Sequence, residues 1–314
     1  MKSRTQQFAA GRKTPAITIF IVLLAFTMLS ACANDDDGPT APEGPGNIVE
    51  VAQSNDDFST LVSAVTDAGL AATLQGNGPF TVFAPTNAAF QALPEGLLES
   101  LSNEQLTEIL SYHVVAGSAV MAGDLQAEQS VEAAAGGALF VTATGGDVMV
   151  NDNASVVTAD VEASNGVIHA VDRVVLPDSY LDVVGIVAKR YNLQTLEGAV
   201  GQAGLVSTLQ GEGPFTVFAP DNASFEGLDL SGLSQQQLQD VLTYHVLDSK
   251  VLSGDLASSQ TVTTVNGDEL TIEVAGDNTV SLTDQQGNTY QVTQADLEGT
   301  NGVVHIIDGV LMPG

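Results

Sequence analysis

The residues of this 314-residue chain best suited to chemistry are its four histidines, His113, His169, His245 and His305. They come in two sets. Each set has a Tyr-His pair, Tyr112-His113 and Tyr244-His245, and a later Asn-Gly-x-x-His, ending at His169 and His305. Asp172 and Asp308 follow three residues behind the second His of each set. Imidazole titrates near neutrality and ligates metals. A fold that brought His113 to His169, and His245 to His305, would therefore assemble metal ligands or an acid–base pair. The alternative is four structural histidines, each hydrogen-bonded and partly buried between sheet and helix. Donor count favours this second reading. A metal site takes three or four ligands, and no carboxylate cluster or Cys stands at matching spacing. Asp172 and Asp308 read as turn caps at strand ends. No metal or cofactor is expected, and no catalytic residue is assigned. The chain has no Gly-x-Ser-x-Gly elbow, no His-Glu-x-x-His, no Walker sequence and no Cys pair. Asp35-Asp36-Asp37-Gly38 lacks the spacing and distal Glu of a calcium loop.

The elements that position these residues are duplicated. Residues 74–90, LQGNGPFTVFAPTNAAF, return as residues 209–225, LQGEGPFTVFAPDNASF, with three of 17 positions changed and an offset of 135. That offset is too long for a solenoid unit and suits a whole domain in tandem. Within the block, Gly-x-Gly-Pro sets a turn and Phe-Thr-Val-Phe-Ala reads as a buried strand. Pro85 or Pro220 stops that strand for want of an N–H. Thr86 or Asp221 then caps a short helix carrying Phe90 or Phe225. Gly76-x-Gly78 is no phosphate loop, because Pro79 and a strand follow it. Phe80, Phe83 and Phe90 are expected in the core, and Asn87 and Asn222 are expected to bond backbone at the strand-to-helix corner.

Around this block, Ser54-Asn55-Asp56-Asp57 resembles a capping box ahead of Phe58, Leu61, Val62 and Val65, spaced as one helix face. A second helix spans 103–110, with its counterpart at 235–242. Each runs into the Tyr-His pair, where Tyr112 and Tyr244 are expected as core rings with their hydroxyls tied. Short strands follow at 139–143, 148–150 and 156–161, and at 269–274, 279–282 and 290–292. Only Asp178-Ser179-Tyr180 separates the last strand of one copy from the first helix of the next. A joint that short predicts a fixed orientation between the copies.

Charge and cysteine usage narrow the function. Four of the eight basic residues, Lys2, Arg4, Arg12 and Lys13, precede the first acidic residue. With the segment before Cys32 removed, four basic residues face all 38 acidic ones, a balance of −34. Such a surface repels nucleic acid and anionic lipid. It suits a solvated exterior or a saline habitat. Residues 1–31 read as an export signal, with a basic start and an apolar run over 16–29 too short for a comfortable membrane span. Leu29-Ser30-Ala31-Cys32 resembles the lipobox of bacterial lipoproteins. That resemblance implies a lipidated Cys32 and, with Ala33 behind it, an outer-membrane anchor on its periplasmic or surface face. The chain's one Cys then leaves none for disulfides. Residues 32–46 form a flexible acidic tether rich in Gly and Pro. The domains are placed at 47–177 and 178–314.

The Thr-Val-Phe-Ala-Pro-Thr/Asp-Asn-x-x-Phe block, the Tyr-His pair and the closing Asn-Gly-Val-x-His block resemble, in that order and in both copies, a fasciclin-type domain. The resemblance covers about residues 47–314. It implies an α+β fold, with a helical half packed on a β-sandwich or wedge of short strands, present twice. It also implies adhesion at cell surfaces or matrix without catalysis. In animal members the Tyr-His region and flanking Leu/Ile residues are implicated in integrin binding. Carried over, that marks Tyr112, His113, Tyr244 and His245, with Leu110 and Leu242 beside them. The partner implied is a protein or polysaccharide at the cell surface, and the membrane is reached through the N-terminal lipid alone. The competing reading is a structural envelope protein whose domains self-associate or bind envelope neighbours.

Overall fold

A computed structural model describes residues 44–94, 96–228 and 232–314. Cys32, the export segment and the tether through residue 43 lie outside the described residues. In the first repeat, three helices come first: α1 (Ile48–Gln53), α2 (Ser59–Asp67) and α3 (Ala71–Leu74). Strand β1 (Phe80–Pro85) then leads to α4 (Asn87–Gln91), α5 (Leu97–Ser100) and α6 (Asn103–Tyr112). Six strands close the repeat: β2 (Val114–Ala116), β3 (Glu128–Glu132), β4 (Ala138–Thr144), β5 (Asp147–Val150), β6 (Ala154–Ala163) and β7 (Gly166–Val171). The second repeat follows the same plan with α7 (Val183–Ala188), α8 (Gln194–Ala203), α9 (Val206–Leu209), β8 (Phe215–Pro220) and α10 (Gln235–Tyr244). It ends in β9 (Val246–Leu247), β10 (Ser259–Thr263), β11 (Glu269–Val274), β12 (Val280–Thr283), β13 (Thr289–Gly299) and β14 (Gly302–Ile307).

Among the described residues each repeat builds one seven-stranded sheet, in the order β2-β1-β7-β6-β5-β4-β3 and β9-β8-β14-β13-β12-β11-β10. β1 pairs parallel with β7, Phe80 opposite Gly166, and β8 pairs parallel with β14, Phe215 opposite Gly302. Every other pairing is antiparallel. β1 is buried on both faces because alternate side chains enter different cores. Val82 and Ala84 face the helices, and Phe83 joins Tyr112, Leu139 and Val141 inside the folded strands. The fold is thus mixed α+β, with a helical layer on one side of a sheet that curls over a second core. β6 and β13 make the turn by bulging, with register shifts between Val156 and Val161 and between Val292 and Leu297. A bulge bends its strand and increases local twist.

Local signals largely landed where expected. Thr86 Oγ1 accepts from the Ala89 N–H at 3.3 Å and Asp221 Oδ1 from the Ser224 N–H at 2.8 Å. The second of these caps a 3₁₀ turn, Asn222–Phe225, in place of an α-helix. The capping box at Ser54 does not form. Ser54 is the C-cap of α1, and Asn55 caps a 3₁₀ turn instead. The reciprocal box lies one helix earlier, between Asn47 and Glu50. β6 and β13 run well past the predicted 156–161 and 290–292. Their outer faces are polar, so apolar alternation fades before the ladder does.

The closing Asn-Gly turn fastens helices to sheet. Asn165 Oδ1 accepts from the Ile48 N–H at 2.9 Å, and its Nδ2 donates to Leu74 O and Gly76 O, each at 2.8 Å. Asn301 does the same for Val183, Leu209 and Gly211. The turn packs so closely that a Cβ on Gly78 would lie 1.9 Å from Asn165 O, and one on Gly166 2.2 Å from Phe80 O. Asn165→Ala removes three hydrogen bonds and leaves a helix N–H and two carbonyls unpaired. Urea unfolding is expected to show a loss of roughly 2–3 kcal/mol, and an unchanged midpoint would contradict this account.

Candidate functional site

The histidines are separately occupied. His113 is 1% exposed; its Nδ1–H donates to Ile109 O at 2.7 Å and its Nε2 accepts from the Val175 N–H at 3.0 Å. His245 repeats this with Val241 O at 2.8 Å and the Leu311 N–H at 2.9 Å. Each therefore carries its proton on Nδ1, and burial pulls each pKa down to about 4. His169 and His305 hold the opposite tautomer. Their Nε2–H groups donate to Val120 O and Val251 O, while Nδ1 accepts from the bulged Asp160 and Asp296 N–H groups. Asp160 and Asp296 both sit at positive φ, which turns those N–H groups toward the rings. Both nitrogens of every ring are used by backbone, so no lone pair is left for a metal or a substrate proton. Among the described residues no group of three or more His, Cys, Asp or Glu could hold a metal ion.

The residues carried over as an adhesion motif lie inside the protein. Tyr112, Leu110, Tyr244, Leu242, His113 and His245 are all at most 4% exposed. Leu110 and Leu242 pack in the helical cores, and Tyr112 and Tyr244 in the strand cores. A partner cannot touch these six side chains in this fold, which corrects their reading as a contact surface. The motif is apolar and periodic because it forms the end of a core helix. Asn87 and Asn222 reach farther than their own corner. Asn87 Oδ1 accepts from the Thr60 N–H at 2.9 Å and Nδ2 donates to Asp56 O at 2.8 Å, fastening the start of α2. Asn222 bonds Thr195 and Tyr191 likewise. Asp172 and Asp308 clip neighbouring strands, accepting from the Ser155 and Gln291 N–H groups at 2.7 Å each.

One buried polar cluster was not singled out in the sequence. It lies where the repeats meet. Lys189 and Arg190, at the end of α7, are 4% and 2% exposed. Both reach Asp178 of the joint: Lys189 Nζ lies 2.6 Å from Oδ1, and Arg190 Nη2 2.7 Å from Oδ2. Lys189 Nζ also donates across to the Tyr112 hydroxyl at 3.0 Å. That hydroxyl donates to Ala138 O and accepts from Asn151 Nδ2 at 3.3 Å. The Arg190 guanidinium lies 5.0 Å from the Phe140 ring centre, and Tyr191 meets the same ring edge-on at 5.7 Å. On the outside, Glu108 accepts from the Tyr180 hydroxyl at 3.0 Å and the Ser179 hydroxyl at 3.2 Å.

Electrostatics holds the cluster charged. Burial by itself would raise the Asp178 carboxyl. The hydrogen bonds and charge of Arg190, with Lys189, overcome that and hold it below its usual range. Burial pulls Lys189 down to about 8 against the attraction of Asp178. Burial likewise pushes Tyr112 up to about 12, so it stays a neutral phenol. The Tyr244 hydroxyl instead donates to Glu269 O at 2.9 Å. The arrangement fixes two domains to one another and offers no nucleophile paired with a base. One sequence signal could have found it: two of the four basic residues after Cys32 are adjacent and sit just beyond the joint.

Comparison with known proteins agrees with the duplicated fold. The fasciclin domain profile matches residues 56–177 and 191–313. Protein sll1483 of Synechocystis sp. is 50% identical over 174 residues, covering 54% of this chain and 91% of that protein. Human periostin is 29% identical over 278 residues, covering 85% of this chain and 31% of periostin, so the chain spans under a third of that relative. The cell surface glycolipoprotein MPB83 of Mycobacterium bovis is 37% identical over 151 residues, covering 43% of this chain and 66% of MPB83. Among solved structures, a FAS1 domain pair from the insect cell adhesion molecule fasciclin I superposes with a TM-score of 0.57 at 19% identity. It covers 82% of this chain and 98% of that one, a likeness of fold. The chain belongs to the fasciclin domain family, with two copies of the domain in tandem.

Proposed function

We propose that this protein is a non-catalytic adhesion or binding lipoprotein, anchored to the outer membrane through Cys32, whose paired fasciclin domains contact a protein or polysaccharide at the cell surface. The observation that carries the reading is the fusion of two family domains through a buried, charged joint. A rigid pair presents two similar surfaces at a set spacing, and a repeating partner that engages both gains avidity without any new contact. MPB83, a relative by sequence, is named as a cell surface glycolipoprotein, which supports the placement. The structural neighbour is named as an adhesion molecule, which supports the role.

Because the Tyr-His side chains are buried, the contact surface lies on exposed residues, and the motif serves adhesion by holding the fold. A deletion strain is expected to lose cell aggregation and regain it when given soluble protein lacking Cys32. The Tyr244→Phe variant is expected to restore aggregation as well as the parent chain does. Envelope fragility with aggregation intact would instead favour a structural envelope role. Loss of aggregation by a stably folded Tyr244→Phe would return the motif to the contact surface.

A further inference from the structure

The two helical layers are not equally filled. In the first repeat the space enclosed by α1, α2 and β1 is about 30 Å³. Its counterpart under α7, α8 and α9 is about 200 Å³. Among the lining residues, Val183 stands where the first repeat has Ile48, and Gly201 adds no side chain to the wall. The walls are apolar, formed by Val183, Val187, Leu196, Val200, Leu209 and Val217. One lining residue breaks the pattern. Glu197 occupies the position of Val62 in the first repeat. Glu197 also lines an adjoining cleft of about 230 Å³ together with Asp152 of the first repeat, whose charge it feels.

Among the described residues these two carboxylates have no cationic partner. Asp152 accepts a 3.5 Å hydrogen bond from Gln194, and no hydrogen bond to the Glu197 carboxylate is found among the described residues. Lys189 lines the same cleft, but its ammonium is committed to Asp178 and the Tyr112 hydroxyl. Burial, with the charge of Asp152 added, pushes the Glu197 carboxyl up, the response of an acid that has no cation beside it.

We propose that this groove binds a small organic amine, with its ammonium between Glu197 and Asp152 and its apolar body among the valines and leucines of the second repeat. An alcohol of the same shape would offer one hydroxyl donor and no charge, and a carboxylate would add a third negative group. A calcium ion would find two carboxylates where it takes six to eight oxygens. Since a dry cavity of about 150 Å³ accommodates benzene, the groove holds an apolar body of roughly eight heavy atoms. 2-Phenylethylammonium has that size and charge and is freely soluble.

The test is calorimetric titration of the full-length chain in nanodiscs, against empty nanodiscs. The probes are 2-phenylethylammonium, 2-phenylethanol and 3-phenylpropionate. The amine is expected to bind, the alcohol about tenfold more weakly, and the carboxylate without measurable heat. Glu197→Gln should weaken the amine by about tenfold, and Val200→Phe, which fills the groove, should abolish binding. Val62→Glu in the nearly closed first-repeat site should leave the affinity unchanged. Equal affinity for amine and alcohol, indifference to Glu197→Gln, or no amine binding at millimolar concentration would each overturn the proposal. If Val200→Phe does not fold, the exposed-side change Glu197→Gln decides alone.

Discussion

Replacing Asp178 with Ala is expected to lower stability by about 3–5 kcal/mol and to separate the unfolding of the two repeats. The reason is the asymmetry of buried ion pairs: breaking one strands a charge that has already left water. Here two cations are stranded, since Lys189 and Arg190 are both almost fully enclosed and share the one carboxylate. Arg190 keeps only its 2.7 Å bond to Ile186 O and its contact with Phe140. Lys189 keeps only the Tyr112 hydroxyl. Relaxation therefore runs toward opening the joint and rehydrating both side chains. Urea unfolding followed by probes in each repeat should show coincident transitions in the parent chain and two separated ones in Asp178→Ala. Lys189→Met is the informative control. It removes one cation, leaves the Asp178–Arg190 pair intact and fills similar space, so its effect should be far smaller. Coincident transitions in Asp178→Ala at the parent midpoint would show that the joint is held by its apolar contacts.

Acidification is expected to destabilise both repeats well before most carboxylates are protonated. His113 and His245 are neutral in the fold with pKa values near 4, whereas an unfolded histidine titrates near 6.5. Between those values the unfolded chain binds a proton that the native chain refuses. Stability is therefore complete above about pH 6.5 and falls as pH drops toward about 4. The difference is on the order of 3 kcal/mol for each histidine. The chemistry is specific: protonation would place an N–H on Nε2 directly against the Val175 or Leu311 N–H that it now accepts. His305 is depressed in the same direction, chiefly by burial, and adds to the second repeat. His113→Asn keeps a donor for Ile109 O while losing the titration. That variant should be less stable at neutral pH yet show a flatter profile from pH 6.5 to 4 in the first repeat. A parent profile flat across that window would contradict the neutral assignment.

The duplicated plan was legible because it rests on local rules and on self-similarity. Thr86 and Asp221 cap because a short oxygen-bearing side chain before a helix has little else to do, and Pro85 and Pro220 end strands for want of an N–H. Phe83 and Phe90 are core because an aromatic in a buried strand or on a helix face has no better place. The edge strands β2, β3, β9 and β10 were not legible. They are short or polar, and their pairing comes from neighbours rather than from their own periodicity.

The functional residues divide along the same line. Composition and motif order by themselves determined the family and the twofold repeat, and they carry no catalytic signature. Whether Tyr112 and His113 face a partner or a core could not be read from type or spacing, because a conspicuous motif and a packed helix end have the same letters. Tertiary structure decided it by closing β4 and the segment that follows β7 over those rings. It alone joined Asp178 to Lys189, Arg190 and, through Lys189, Tyr112, and brought Glu197 and Asp152 to one cleft. Electrostatics acts through space and through the loss of water. A charge therefore acquires its meaning only when the chain has brought together residues far apart in sequence and excluded solvent from between them.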